Sequence, residues 1–210
     1  MGKCRNRPER REVNDAATAP GNPYPNSGPT SRGGVRGTLL NIYTFETLLD
    51  GLREAVANSD LAAVADLVRR AIRERRFVSP AGLSQLLHGE PGLTILHAAV
   101  NSRFASPPHD HRTWAVIGVY DGEEENTFYR VTNGARRIEP IGSHNLKQGE
   151  VLSLGVDAIH KIANRGTSRL VALHVYGRNI FEIERSAWDL ATGDERPFRL
   201  VLDAGGRVTR

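Results

Sequence analysis

The chain has a single cysteine, Cys4, so an intramolecular disulfide framework and any multi-cysteine zinc or iron–sulfur site are excluded by count. A reducing, cytoplasmic setting is the matching expectation. Also missing is any uninterrupted apolar run near the roughly 18 residues that a membrane helix needs, so no membrane partner is expected. The first 37 residues nearly lack large apolar side chains and are rich in Gly, Pro, Asn and Ser. Such a stretch cannot bury enough surface to offset chain entropy, and residues 1–37 are predicted to be a disordered basic tail. The tail has no continuous apolar stretch of the secretory kind, and its acidic residues count against a transit peptide.

The formal net charge is +4 and the pI near 9.6. Lys3, Arg5, Arg7, Arg10, Arg11, Arg32 and Arg36 face only Glu9, Glu12 and Asp15 in the tail, which leaves 21 basic and 21 acidic residues elsewhere. The body is therefore neutral, and the basic pI does not mark it as a nucleic-acid binder. Nucleic-acid binding by the tail, against a passive extension, stays an open alternative. At 210 residues, the rest (38–210) fits one domain.

Within that body the apolar spacing is first helical. Phe45, Leu48, Leu49, Leu52 and Val56 fall on one face, then Leu61, Val64, Leu67, Val68 and Ile72 on another. Asp60 is the expected N-cap of the second helix, and Ser79-Pro80 predicts a short third helix carrying Leu83, Leu86 and Leu87. These helices make a subregion at about 42–89. The arginines between Arg69 and Arg76 read as a solvated helix end. From about 92 to 205 the period shifts toward two, with strands expected at 93–100, 114–120, 127–131, 150–154, 170–176 and 198–202. Asp121-Gly122 and Asn133-Gly134 predict two consecutive antiparallel connections within 113–141. Many short strands in one domain imply a mainly β sandwich or barrel.

Seven histidines are present: His88, His97, His109, His111, His144, His160 and His174. In Pro107-Pro108-His109-Asp110-His111 an extended backbone turns both imidazoles to one face, so two nitrogens could meet one metal. A second segment runs from Gly149 through the 150–154 strand and Gly155 to His160 and Asn164, and His160 could add a third ligand. His88, His97 and His144 are expected to be structural or exposed.

Together these two segments resemble the paired motifs of the cupin superfamily, small double-stranded β-helix (jelly-roll) barrels with a metal at the mouth. The first motif is His109-x-His111 followed by Gly122; the second is Gly149, then His160 and Asn164. Many cupins carry a glutamate four or five residues after the second histidine, where this chain has Ala115 and Val116. That leaves three neutral imidazoles, unless Asp110 or Glu125 intrudes. A three-histidine cupin site is similar to that of the thiol dioxygenases, the cysteine dioxygenase and 3-mercaptopropionate dioxygenase family. The stretch from Pro107 through Trp114 to Tyr120, the phrase Leu173-His174-Val175-Tyr176-Gly177-Arg178-Asn179-Ile180 and the helices ahead of the barrel carry the same likeness, which spans about 39–203.

That resemblance implies an iron(II) cofactor on His109, His111 and His160, with O2 and a small thiol carboxylic acid, 3-mercaptopropionate or cysteine-like, converted to the sulfinate. The family's Ser-x-His-x-Tyr relay falls on Ala172, His174 and Tyr176, so the serine is missing and His174 would turn to water or to another tautomer. Tyr176 would then donate a hydrogen bond to the oxygen or substrate. No arginine stands in 93–96, where cysteine-specific enzymes hold the substrate carboxylate. Arg185 matches the position used by the bacterial 3-mercaptopropionate enzymes, and its fork suits a carboxylate. Trp114 is expected as an apolar wall near the metal. Two alternatives remain: a catalytically inactive cupin that binds or senses a small ligand, and a metal-dependent oxygenase acting on a non-thiol acid, with zinc, nickel or manganese also suited to imidazole. The oligomeric state is left open.

Overall fold

The computed structural model describes residues 43–78, 82–132 and 137–209. The predicted tail, the Ser79-Pro80 cap and the Asn133-Gly134 turn lie outside the described residues. Two helices come first, α1 (Phe45–Ala57) and α2 (Leu61–Arg73). The Thr44 side chain accepts from the Thr47 amide and caps α1, and Asp60 accepts from the Ala63 amide at 2.9 Å and caps α2. Their inward faces, Leu48, Leu52, Val64, Val68 and Ile72, are almost fully buried. The arginine run is only in part a solvated end. Arg75 makes a bidentate pair with Asp121, and Arg76 donates to the Tyr43 carbonyl, so the end of α2 is tied down at both sides.

Thirteen strands follow among the described residues, β1 (Gln85–Glu90), β2 (Leu93–Val100), β3 (His109–Asp110), β4 (Ala115–Asp121), β5 (Glu123–Val131), β6 (Ile138–Lys147), β7 (Val151–Leu154), β8 (Ile159–Ala163), β9 (Leu170–Tyr176), β10 (Arg185–Trp188), β11 (Glu195–Phe198), β12 (Val201–Leu202) and β13 (Val208–Thr209). One sheet has the order β1-β2-β9-β4-β7, the other β11-β10-β3-β8-β5-β6, and β12 pairs with β13. Every pairing is antiparallel. From β2 to β10 the chain keeps passing between the two larger sheets, which is the winding of a double-stranded β-helix.

Alternation sorts the first sheet into two faces. Leu93, Ile95, Val116, Tyr120, Leu173 and Val175 meet the helices, while Leu96, Ala98, Ala115, Ile117 and Ala172 look into the barrel, where Leu146 of the second sheet joins them. α2 lies close on the sheet at Gly118, where a Cβ would come within 2.7 Å of Val68 Cγ1. The helices thus close the outer face and leave the inner face for a site.

Two local expectations are corrected. Leu86 and Leu87 belong to edge strand β1, not to a third helix; Leu86 pairs with Leu96, and a register shift between Leu86 and His88 breaks the alternation that would have marked a strand. Asp121-Gly122 does not join a hairpin either. β4 and β5 belong to different sheets, and Gly122, at φ +85°, turns the chain from one to the other where a Cβ would lie 3.2 Å from Leu170 Cα. The 198–202 run is split between β11 and β12.

Candidate metal centre

Pro107 and Pro108 lead into β3, which lies between β10 and β8, so His109 pairs across the sheet with His160 on one side and Ala187 on the other. His109 Nδ1 stands 3.0 Å from the Pro107 carbonyl oxygen and donates to it, which turns Nε2 inward. The three rings of His109, His111 and His160 have centroids 5.1, 4.9 and 4.9 Å apart, and one ligand atom from each lies within 4.8 Å of the others. His111 Nε2 and His160 Nε2 are 3.3 Å apart. Two imidazole nitrogens held at about 2.1 Å from a shared ion stand roughly 3.0 to 3.4 Å apart for right or tetrahedral angles, so this pair fits one ion. The group could hold a metal. Burial first, then the neighbouring imidazoles, hold the pKa values of His111 and His160 well below the ordinary histidine value, which keeps both rings in the neutral form a metal needs.

Neither carboxylate considered from the sequence joins the cluster. Asp110 accepts from the Ser186 amide at 2.8 Å and pairs with Arg112, and Glu125 pairs with Arg165. Asn164 is structural: its side-chain amide donates to the Val100 and Ser168 carbonyls.

A cavity of about 380 Å³ opens onto the three rings, and His174, Tyr176 and Arg185 line it with them. His174 and Tyr176 share one face of β9, with His174 Nδ1 2.9 Å from the Tyr176 hydroxyl. The Tyr176 ring lies 5.1 Å from that of His111. Burial pushes the Tyr176 phenol above its usual range, so it is protonated at neutral pH. Arg185, on β10, is 4% exposed, its guanidinium carbon stands 4.9 Å from the centre of the Phe198 ring, and its Nε and Nη2 have no partner. Burial lowers its pKa, against the pull of Tyr176 and Asp110.

Trp114 is placed elsewhere. It belongs with the helix-facing residues, packs on the α1–α2 cluster and lies against Gly177, where a Cβ would collide with the indole. The parity of β4 explains this, because 114, 116, 118 and 120 face the helices and 115, 117 and 119 the barrel.

Sequence reasoning missed two residues of β5. Asn126 Oδ1 is 2.8 Å from His160 Nδ1, and Asn126 Nδ2 donates to Glu124 Oε1 at 3.0 Å. Glu124 is fully buried, and its Oε2 stands 3.5 Å from His174 Nε2. The available signal was two polar residues at strand spacing, 124 and 126, which lie on one face.

No protein-family model matches the chain. Among solved structures it is similar to an rmlc-like cupin family protein with a double-stranded β-helix fold from Methanocaldococcus jannaschii, at 17% identity over 47% of this chain and 81% of that one, TM-score 0.39. A cupin superfamily protein from Desulfitobacterium hafniense matches at 18% identity over 46% and 77%, TM-score 0.38. An oxalate oxidase matches at 17% identity over 41% of this chain, TM-score 0.35, and the chain spans only 42% of its length. Likeness this distant leaves the chemistry to the residues themselves. These structural neighbours are cupin-family proteins, and the chain's own strand pairing is the double-stranded β-helix.

Proposed function

We propose that the protein is a non-haem iron(II) thiol dioxygenase that converts a small thiol carboxylic acid, such as 3-mercaptopropionate, and O2 to the sulfinate. The observation that carries this reading is the meeting, around one cavity, of three buried imidazoles with a buried guanidinium that keeps two nitrogens without a hydrogen bond. His109, His111 and His160 would hold the ion. Iron(II) held there would supply Lewis-acid and redox chemistry toward a thiol and dioxygen, with both oxygen atoms ending on sulfur. Arg185 offers two free N–H donors in fork geometry and would fix the substrate carboxylate beside the rings. Leu96, Val100 and Phe104 give the cavity apolar walls, and Tyr176 sets a phenolic hydroxyl at it.

A second reading, an oxygenase acting on a larger non-thiol acid, is favoured by the size and the apolar lining of the cavity, which includes Leu200 and Val208. Oxygen uptake separates the two. Protein loaded anaerobically with iron(II) is expected to consume O2 on addition of 3-mercaptopropionate or cysteine, to yield sulfinate by mass spectrometry, and to lose both metal and uptake in His160→Ala. Stoichiometric metal binding without uptake for any thiol overturns the proposal.

A further inference from the structure

The hydrogen bonds around the site form two runs, His160–Asn126–Glu124 and His174–Tyr176, that face each other across a 3.5 Å gap. His160 presents Nε2 to the ligand cluster, so its hydrogen sits on Nδ1 and is donated to Asn126 Oδ1. With its oxygen facing His160, Asn126 turns its amide nitrogen to Glu124 and donates to Oε1. The other oxygen, Glu124 Oε2, lies 3.5 Å from His174 Nε2, at the outer edge of hydrogen-bond reach, and neither atom has any hydrogen-bond partner. A carboxylate is acceptor-only, and a lone pair aimed at it across a buried gap is repelled, so Nε2 is the nitrogen that carries the hydrogen. Nδ1 is then an acceptor, and the bond to Tyr176 runs from the tyrosine hydroxyl to the ring.

We propose that Glu124 is a positioning residue that takes the place of the absent relay hydroxyl at Ala172 and fixes the relay in one direction, with Tyr176 donating inward to His174 and presenting its lone pairs to the cavity. This reverses the role expected of Tyr176. A hydroxyl at position 172 could donate or accept and would leave both directions open; a buried carboxylate does not. The Ala172 side chain is itself fully buried between Ala98 and Val119, its neighbours on β2 and β4, so the carboxylate arrives from the opposite sheet. The cavity then favours an acid that brings its own donor, such as an ammonium group, next to Tyr176. The proposal deepens the thiol dioxygenase reading and rests on it for the metal at His160; Glu124 fixes His174 whether or not an ion is bound.

The test is the tautomer of His174, read by two-bond proton–nitrogen correlation spectra of the full-length protein labelled with 15N-histidine. Spectra are taken without metal and with zinc(II), a diamagnetic stand-in. The expected state is a hydrogen on Nε2 and none on Nδ1 in both samples. Glu124→Gln keeps an oxygen for Asn126 and sets an amide NH2 opposite Nε2, so in that variant the hydrogen is expected to move to Nδ1. A hydrogen on Nδ1 in the wild type, as neutral ring or imidazolium, overturns the proposal, as does an unchanged tautomer in Glu124→Gln. Should that variant fail to fold, the wild-type spectrum decides alone. Failure of the metal-site reading shows separately, as resonances of His109, His111 and His160 that zinc does not move.

Discussion

Replacing Arg185 by methionine should make the protein more stable and unable to hold an acid. Arg185 is 4% exposed and two of its guanidinium nitrogens have no hydrogen-bond partner. An ion so buried costs several kcal/mol of desolvation, and here the offsets are Phe198, at about 0.5–2 kcal/mol for a cation over a ring, and the attraction of Asp110 and Tyr176. Methionine keeps much of the apolar stem, so little packing is lost. The net expectation is a gain of about 1–3 kcal/mol. For a domain of this size that is a rise in Tm of roughly 2–12 °C, at 2–4 °C per kcal/mol. Calorimetry of the wild type and Arg185→Met, each with and without 3-mercaptopropionate, reads both effects. In the wild type, ligand at a hundredfold excess over Kd adds about 2.7 kcal/mol. In the variant that increment should vanish, because two charge-assisted hydrogen bonds at about 1.5–3 kcal/mol each amount to at least a hundredfold in Kd. A variant that melts lower than the wild type and keeps the ligand shift would show that Arg185 is a structural residue and that the carboxylate is held elsewhere.

Asn126→Ala should weaken metal binding about 10- to 100-fold, measured by competition with a chelator, since His160 loses the acceptor that fixes its ring; Asn126→Asp, which keeps that acceptor, should recover much of the affinity while adding a second buried carboxylate beside Glu124. The metal-free protein should lose stability in acid through His111 and His160. Their folded pKa values are depressed, so their contribution is intact above the unfolded value near 6.5 and is lost as pH falls from there toward the folded values. Urea melts of metal-free protein at pH 8 and pH 5.5 measure this, and equal midpoints would contradict it.

The elements that could be read from the sequence are those whose surroundings enforce one period. α1 and α2 each cover one apolar face, and β2, β4 and β9 are held by the helices on one side and the barrel interior on the other, so their runs stand out. The 85–90 strand was misread because a bulge at an edge blurs its alternation, and Leu83, Leu86 and Leu87 happen to match helical spacing. β6 was missed for a different reason: most of its side chains are exposed, so its sequence has no reason to alternate. In the site, the parity of β9 and the spacing of His109 and His111 pointed correctly to shared faces. Glu124 was hidden by its neighbours. Between Glu123 and Glu125 it resembles part of a solvated acidic stretch, and only the turn at Gly122, which carries β5 into the second sheet, aims it inward.

The distribution of unpartnered polar atoms makes the same point in energetic terms. Among the described residues, seven buried side-chain atoms lack a hydrogen bond, and five of them, His111 Nδ1, Glu124 Oε2, His174 Nε2 and two nitrogens of Arg185, belong to this one neighbourhood, the other two being His88 Nε2 and His97 Nε2. Each such atom costs about 1–3 kcal/mol, more where it is charged, so a fold that leaves five of them in one place gives up stability there. A barrel of this kind could fill its mouth with leucine and gain. Polar groups of opposite sense, a guanidinium that can only donate and a carboxylate that can only accept, are arranged on either side of the histidine cluster instead. The two unpartnered nitrogens of Arg185 stabilise nothing in the free protein and become favourable when an anionic group meets them. That is the pattern of a site preorganised for a ligand.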